Sequence, residues 1–194
     1  MDKKKWIAWA LALVLLIGGA AMLYNNLSSG FSPNQMTEDS GQGEVDGETG
    51  EKELQAAPDF TVLDQDGNPV KLSDFLGRPI VLNFWASWCG PCKSEMPDFE
   101  KVYAKYGDRV HFLMINLTDG AQETVQSASE FTSQSGYTFP VYYDTDIVAA
   151  SNYSVWSIPA TYFIDAQGYG VAWGSGALDL ATIEKGISMI LPGS

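Results

Sequence analysis

The chain has 194 residues, with 11 Lys or Arg against 24 Asp or Glu, so its formal net charge is −13 at pH 7. This acidic balance excludes a surface that attracts nucleic acid. Two cysteines and one histidine leave too few soft ligands for a structural zinc site, which needs four. What remains is an acidic protein with a single cysteine pair.

Residues 1–24 have the composition of a membrane segment. Lysines at positions 3–5 precede the uncharged run 6–24, which as a helix would span about 28 Å, close to the apolar thickness of a bilayer. The lysines predict a cytoplasmic N-terminus and a single-pass protein whose remaining chain lies on the extracytoplasmic side. A cleaved signal peptide is the alternative, because residues 18–21 are small enough for a peptidase site.

Residues 25–57 predict an acidic, flexible linker. They are rich in Gly, Ser, Asn, Gln and acids and show no apolar periodicity. A coil of this length has a root-mean-square reach of about 30 Å. Residues 58–194 then suffice for one domain with a sizeable core, and their seven basic and sixteen acidic residues give a net charge of −9.

The first predicted elements of the domain are a hairpin and a central strand. Residues 60–63 and 70–72 flank the turn 64–68, which is a hairpin pattern. The run 80–85 is apolar throughout, which is typical of a strand covered on both faces. A helix follows from about 92 to 106.

The rest of the domain alternates between strands and helices. Four residues are expected on the buried face of the second helix: Val125, Ala128, Ser129 and Phe131. The remaining predicted elements are a strand at 110–117, a helix at 122–135, a strand at 140–143, a short helix at 146–153, a hairpin of 160–165 with 170–174, and a helix at 178–191. This order predicts an α/β fold, a central mixed sheet with helices on both faces.

Both cysteines lie at the junction between the central strand and the first helix. Cys89 falls at the helix start, where free backbone N–H groups and the helix dipole favour a thiolate, so it is the predicted nucleophile. Cys92 lies one turn into the helix and suits the resolving role. A purely structural disulfide is the alternative, although a bridge enclosing two residues adds little loop-closure entropy.

The motifs around the cysteines resemble a known family. Residues 84–93, Phe-Trp-Ala-Ser-Trp-Cys-Gly-Pro-Cys-Lys, look like the thioredoxin active site, and residues 157–161, Ser-Ile-Pro-Ala-Thr, resemble its cis-proline loop. The extension Ser-Glu-Met-Pro at 94–97, the segment 122–143 and the N-terminal apolar run are similar to membrane-anchored extracytoplasmic thiol-disulfide oxidoreductases of the ResA/TlpA family. The resemblance implies a thioredoxin fold with an N-terminal β-hairpin and an insertion, preceded by one transmembrane helix.

The resemblance assigns proton transfer at the redox-active Cys89–Cys92 disulfide to Glu95. Glu95 is three residues from Cys92, so both can face one side of the helix, and partial burial would raise its pKa. The matching position for the buried aspartate of cytoplasmic thioredoxins is Asn83, which cannot exchange protons. A surface glutamate is the alternative reading of Glu95.

The same resemblance implies a surface for substrates. It predicts a cis Ile158–Pro159 bond beside the sulfurs, where the Ile158 backbone pairs with an extended substrate chain. Trp88, Gly90 and Pro91 are expected on this surface. A trans proline that begins a strand is the alternative.

The implied function is reduction of disulfides in exported proteins, apocytochromes c among them, with no metal and no cofactor beyond the disulfide. A membrane electron donor would recharge the dithiol, because an extracytoplasmic compartment oxidises it. Two alternatives stay open, a disulfide-forming oxidase that uses the same residues and a non-enzymatic copper-binding module. A peroxide-reducing role is disfavoured, because the residues before Cys89 lack a Thr-x-x-Cys pattern.

Overall fold

The structure is a computed structural model of the chain, and it describes residues 36–38 and 54–191. The strands are β1 (Met36–Glu38), β2 (Thr61–Leu63), β3 (Pro69–Lys71), β4 (Ile80–Trp85), β5 (His111–Asn116), β6 (Val141–Tyr143), β7 (Ala160–Ile164) and β8 (Gly170–Ser175). The helices are α1 (Gly90–Tyr106), α2 (Val125–Ser135), α3 (Val148–Asn152) and α4 (Leu180–Ile190), with a 3-10 helix at Leu72–Phe75.

These strands form one mixed sheet in the order β1-β8-β7-β4-β5-β6-β2-β3. β4, β5 and β6 are parallel, whereas β7 runs antiparallel to β4 on its other side. The β2–β3 hairpin turns at Asp64, whose carboxylate accepts hydrogen bonds from the backbone N–H groups of Asp66 and Asn68. From β2 onward, the element order is the one that the sequence predicts, so the α/β prediction is confirmed.

β4 divides the core because all six of its residues are buried and alternate between the two faces of the sheet. Ile80, Leu82 and Phe84 pack on the face that also holds α3. Val81 and Trp85 pack on the opposite face, among side chains of α1 and α4. Asn83 shares this second face, and it is the one polar side chain of the strand.

α1 and α2 differ from the predicted helices at their N-termini. α1 begins at Gly90 because the side chain of Cys89 caps it, and it continues through Pro97 to Tyr106. α2 begins at Val125 behind a Thr124 cap, which leaves Val125 exposed in the first turn. The expectation of a buried Val125 is therefore wrong, and so is that of a buried Ser129, which is exposed as well. The buried stripe of α2 starts one turn later, at Ala128.

β1 lies inside the segment predicted as a flexible linker. It pairs antiparallel with β8, with Met36 opposite Gly174, so three linker residues extend the edge of the sheet. The predicted membrane segment at 1–24 and most of the linker, 25–35 and 39–53, lie outside the described residues. Among the helices that the structure does describe, none is long and apolar enough to cross a bilayer.

Gly186 allows α4 to pack closely on β7. A Cβ at this position would overlap the ring of Phe163, which is fully buried. Gly186→Ala should therefore lower the free energy of unfolding by about 1–3 kcal/mol through overpacking, despite the better helix propensity of Ala. Urea denaturation measures the change.

Lys185→Ala is the matched control on the exposed side of α4, and its effect should stay within about 0.5 kcal/mol. A Gly186→Ala variant as stable as the wild type would mean that α4 can move away from β7 at little cost.

Candidate active site

Cys89 and Cys92 lie where β4 gives way to α1, and a disulfide joins them across a Cα–Cα distance of 5.2 Å. Cys89 is the N-cap of α1, and its Sγ accepts a hydrogen bond from the backbone N–H of Cys92 at 3.2 Å. Cys92 is completely buried, whereas Cys89 keeps a small exposed area. The helix N-terminus therefore favours negative charge on the sulfur of the less buried cysteine.

The loop before β7 brings Ile158 and Pro159 to the cysteines. The Ile158–Pro159 bond is cis, as predicted, and the trans alternative is wrong. The carbonyl oxygen of Ile158 lies 3.7 Å from Cys89 Sγ. Because proline has no N–H, this loop cannot form a ladder of hydrogen bonds to the segment that carries Cys89.

Three further predicted residues surround Cys89. Trp88 precedes it directly, and 48% of its surface is exposed. Gly90 and Pro91 are exposed in the first turn of α1, where the missing N–H of proline leaves no hydrogen bond unmade. The structure therefore places Trp88, Gly90 and Pro91 beside the disulfide.

Glu95 is a buried carboxyl group with only 1% of its surface exposed, so the surface-glutamate alternative is wrong. Its Oε1 accepts a hydrogen bond from Asn83 Nδ2 at 2.9 Å, and its Oε2 accepts one from the backbone N–H of Leu178 at 3.0 Å. Burial raises the pKa of Glu95 to about 8, although the two hydrogen bonds act in the opposite direction. The carboxyl can thus hold or release a proton near neutral pH.

Asn83 can serve both protonation states of Glu95. Its Nδ2 donates to the ionised carboxylate and also to Thr161 Oγ1 at 3.0 Å. Its buried Oδ1 has no hydrogen-bond partner among the described residues. A rotation of the amide by half a turn would present Oδ1 to a protonated Glu95, which then has an O–H to donate.

A second buried carboxylate, Glu123, was not singled out from the sequence. Its Oε2 accepts a hydrogen bond from Ser87 Oγ at 2.8 Å, and its Oε1 accepts one from Asn116 Nδ2 at 3.1 Å. The Asp119 carboxylate organises the preceding turn by accepting the backbone N–H groups of residues 121–123. Glu123 thereby ties the 122–143 segment to the loop that leads to Cys89.

The local sequence carries no signal for this contact. Residues 119–123 have the composition of a polar surface turn, yet Glu123 is buried in the folded chain, where Ser87 and Asn116 reach it.

The copper-binding alternative depends on a set of metal ligands. Within residues 36–38 and 54–191, no group of three or more His, Cys, Asp or Glu side chains is arranged to hold a metal ion. The described part of the chain thus offers no such ligand set.

Comparisons with known proteins agree with this geometry. The model of the AhpC/TSA family matches residues 54–169. The chain is similar to the thioredoxin-like protein YneN of Bacillus subtilis, with 34% identity over 85% of this chain and 86% of that protein. It is also similar to the thiol-disulfide oxidoreductase ResA of Oceanobacillus iheyensis, with 37% identity over 71% of this chain and 72% of ResA.

Solved structures show the same fold. A DsbF homologue from Corynebacterium diphtheriae superposes with a TM-score of 0.64 at 25% identity, over 77% of this chain and 99% of that one. The exposed lipoprotein thioredoxin Etrx1 of Streptococcus pneumoniae superposes with a TM-score of 0.58 at 29% identity, over 68% and 98% of the two chains.

The buried carboxyl predicts a pH-dependent stability. The pKa of Glu95 rises from 4.5 to about 8 on folding. Its contribution to the free energy of unfolding is therefore complete below pH 4.5 and is lost as the pH rises through 8. The free energy of unfolding should therefore fall in the wild type relative to Glu95→Gln by about 3–5 kcal/mol over this window. Urea titrations at a series of pH values measure the difference.

Glu130→Gln on the exposed face of α2 is the control. The difference in free energy of unfolding between this variant and the wild type should not change between pH 4.5 and pH 8 in this way. Parallel pH profiles of the wild type and Glu95→Gln would contradict the raised pKa.

Proposed function

This chain belongs to the AhpC/TSA family and is a thioredoxin-like thiol-disulfide oxidoreductase, and from that premise we propose that it reduces disulfide bonds of exported proteins. One observation carries the proposal. A cysteine at a helix N-terminus that keeps a small exposed area and a buried cysteine one turn later lie on the same helix as a buried carboxyl group of raised pKa. These are the components of dithiol exchange, a nucleophile, a resolving thiol and a proton acceptor.

The first step is attack by Cys89. In the reduced protein, the Cys89 thiolate forms a bond to one sulfur of the substrate disulfide, and the substrate S–S bond breaks. The other substrate sulfur leaves as a thiolate and takes up a proton from water. The N-terminus of α1 supports the attack because it stabilises the thiolate of Cys89.

The second step resolves the mixed disulfide. The Cys92 thiol passes its proton to the Glu95 carboxylate and attacks Cys89 Sγ. The Cys89–Cys92 bond forms, the bond between Cys89 and the substrate breaks, and the second substrate sulfur leaves as a thiolate that takes up a proton. The substrate gains two electrons and the protein disulfide is restored. A pKa of about 8 leaves part of the Glu95 population ionised near neutral pH, so the carboxylate can accept this proton.

The substrate is held by the face around Cys89. Trp88, Gly90 and Pro91 offer exposed contacts, and the backbone of Ile158 can hydrogen-bond to an extended chain. Pro159 has no N–H and keeps the loop from closing over the sulfurs. The arrangement suits a protein substrate that presents an accessible disulfide.

The proposed location of the protein is inferred from the sequence alone. The lysine-flanked apolar segment at 1–24 supports a membrane anchor with the catalytic domain outside the cytoplasm. An exported dithiol is oxidised by its surroundings, so a membrane electron donor would return electrons to it. Apocytochromes c, which carry cysteine pairs, are one proposed class of substrate.

The reduction potential of the Cys89–Cys92 couple tests the direction of exchange. Equilibration of the full chain with dithiothreitol or glutathione buffers should give about −250 mV or lower, the range of thioredoxin-like reductants. A value near about −120 mV would instead make the protein an oxidant that forms disulfides.

Substitution of single cysteines tests the assigned roles. Cys92→Ser should accumulate a mixed disulfide between Cys89 and a substrate cysteine, because no second thiol remains to resolve it. Cys89→Ser should accumulate little, because Cys92 is buried. Non-reducing gels and mass spectrometry detect the adducts, and accumulation in Cys89→Ser alone would reverse the two roles.

A further inference from the structure

β1 determines the edge of the sheet at which the N-terminal part of the chain joins the domain. β1 runs antiparallel to β8, β8 runs antiparallel to β7, and β7 runs antiparallel to β4. β1 therefore also runs antiparallel to β4, and its first residue lies at the edge where β4 ends. Cys89 and Cys92 follow β4 at this edge, which we call the dithiol edge.

The strand register places the start of β1 close to the loop that contacts Cys89. Met36 is opposite Gly174, and Gly174 is opposite Thr161, so these residues form one row across the sheet. Neighbouring strands are about 4.8 Å apart, which puts Met36 roughly 10 Å from Thr161. Thr161 follows the cis-proline Pro159 by two residues. The chain thus enters β1 beside the cis-proline loop.

Residues 54–57 meet the sheet at the opposite edge. Ala56 forms an antiparallel bridge with Tyr169, and the backbone N–H of Ala57 donates a hydrogen bond to the carbonyl oxygen of Gly168. Both contacts are made to the turn between β7 and β8. This turn lies away from the dithiol edge, because β7 begins directly after the cis-proline loop and ends at the turn.

Pairing of β1 therefore changes both the length and the attachment point of the tether. Without β1, the 29 residues 25–53 would connect the predicted anchor at 1–24 to the edge away from the dithiol. With β1 paired, the 11 residues 25–35 connect the anchor to the dithiol edge. A coil of this shorter length has a root-mean-square extent of about 18 Å, and a fully extended chain spans at most about 40 Å.

We propose that β1 holds the dithiol edge toward the bilayer, and that it does so for a partner whose reactive dithiol is exposed at the membrane surface by an integral membrane protein. This inference rests on the proposed function and on the predicted anchor, and it names the position from which electrons return to Cys89 and Cys92. A donor embedded in the bilayer cannot move outward, so the domain must turn its disulfide toward the membrane. An exported substrate in solution can approach from any side and needs no such orientation.

The charge of the domain gives a short tether a second advantage. Residues 58–194 carry a net charge of −9, and an anionic lipid surface repels a domain of this sign. On the longer tether, the domain would spend most of its time away from such a surface. The hydrogen bonds between β1 and β8 oppose this repulsion by keeping the free part of the tether short.

Exchange with a membrane dithiol balances in two steps. A donor thiolate forms a bond to Cys89 Sγ, the Cys89–Cys92 bond breaks, and Cys92 leaves as a thiolate that takes up a proton. The second donor thiol then loses its proton and attacks the donor sulfur bound to Cys89. The donor disulfide forms, Cys89 leaves as a thiolate, and two electrons have passed from the donor to this protein.

The test compares two disulfide probes that release the same pyridine thione when a thiolate attacks them. One is a lysophosphatidylethanolamine with a pyridyl disulfide on its head group, which inserts into phosphatidylcholine vesicles, and the other is soluble dithiodipyridine. Full-length protein is reconstituted into the vesicles, reduced, freed of reductant and mixed with either probe. The measured quantity is the ratio of the initial rate with the lipid probe to the rate with the soluble probe.

The double substitution Thr37→Pro with Glu38→Pro removes the pairing of β1. Successive N–H groups of a strand point to opposite sides, so one of the two prolines removes a hydrogen bond to β8 whichever side faces it. Effective concentration falls roughly as the −3/2 power of tether length, so the ratio should fall about four-fold. The rate with dithiodipyridine should stay unchanged, which also shows that the domain is folded.

Glu48→Pro with Thr49→Pro is the matched control, because it replaces the same two residue types in the linker outside β1. This variant should keep the wild-type ratio. An equal fall in the control, or a wild-type ratio in the β1 variant, would overturn the inference.

The wild type alone separates this inference from the proposed function. A wild type that reacts with dithiodipyridine but not with the lipid probe would overturn the inference and leave the proposed function intact. A wild type that does not sediment with the vesicles would also overturn it, because the anchor would be absent. Reaction with neither probe would contradict the proposed function itself.

Discussion

The burial of an ionisable carboxyl group one helical turn from a buried cysteine is the constraint on which this site depends. A carboxylate in an apolar core is costly unless it is hydrogen-bonded, and Glu95 has two donors, Asn83 and the backbone of Leu178. These donors come from the central strand and from the segment before the last helix, so strand and segment must meet α1 for the group to be tolerated. The packing of these elements therefore supports the ionisable carboxyl group of Glu95 as well as the two cysteines.

Much of this arrangement follows from the sequence because it depends on local patterns. The six apolar residues of β4 indicate a strand buried on both faces, and the Cys89–Cys92 spacing at its end indicates a helix start. The order of strands and helices after residue 58 follows from periodicity and turn residues in the same way. Even the burial of Glu95 could be expected, since its spacing from Cys92 places both on one helix face.

What could not be predicted depends on contacts between distant segments. β1 is three residues of an acidic segment that become a strand only because β8 offers an unpaired edge. Glu123 has the sequence surroundings of a surface residue, and Ser87 and Asn116 reach it only in the folded chain. Val125 was expected inside because periodicity does not show at which residue a cap begins the helix.

Cys89 has two roles at once, because it is the N-cap of α1 and the proposed nucleophile. Helix starts usually rely on Ser, Thr, Asp or Asn, whose oxygen atoms keep their covalent partners for the life of the protein. Here the capping atom is a sulfur whose covalent partner and charge change during each proposed turnover. The hydrogen bond that caps the first turn is therefore stronger when this sulfur is a thiolate than when it is part of a disulfide. A protein that contacts Gly90 and Pro91 would thus meet a helix turn whose capping bond depends on the oxidation state of Cys89.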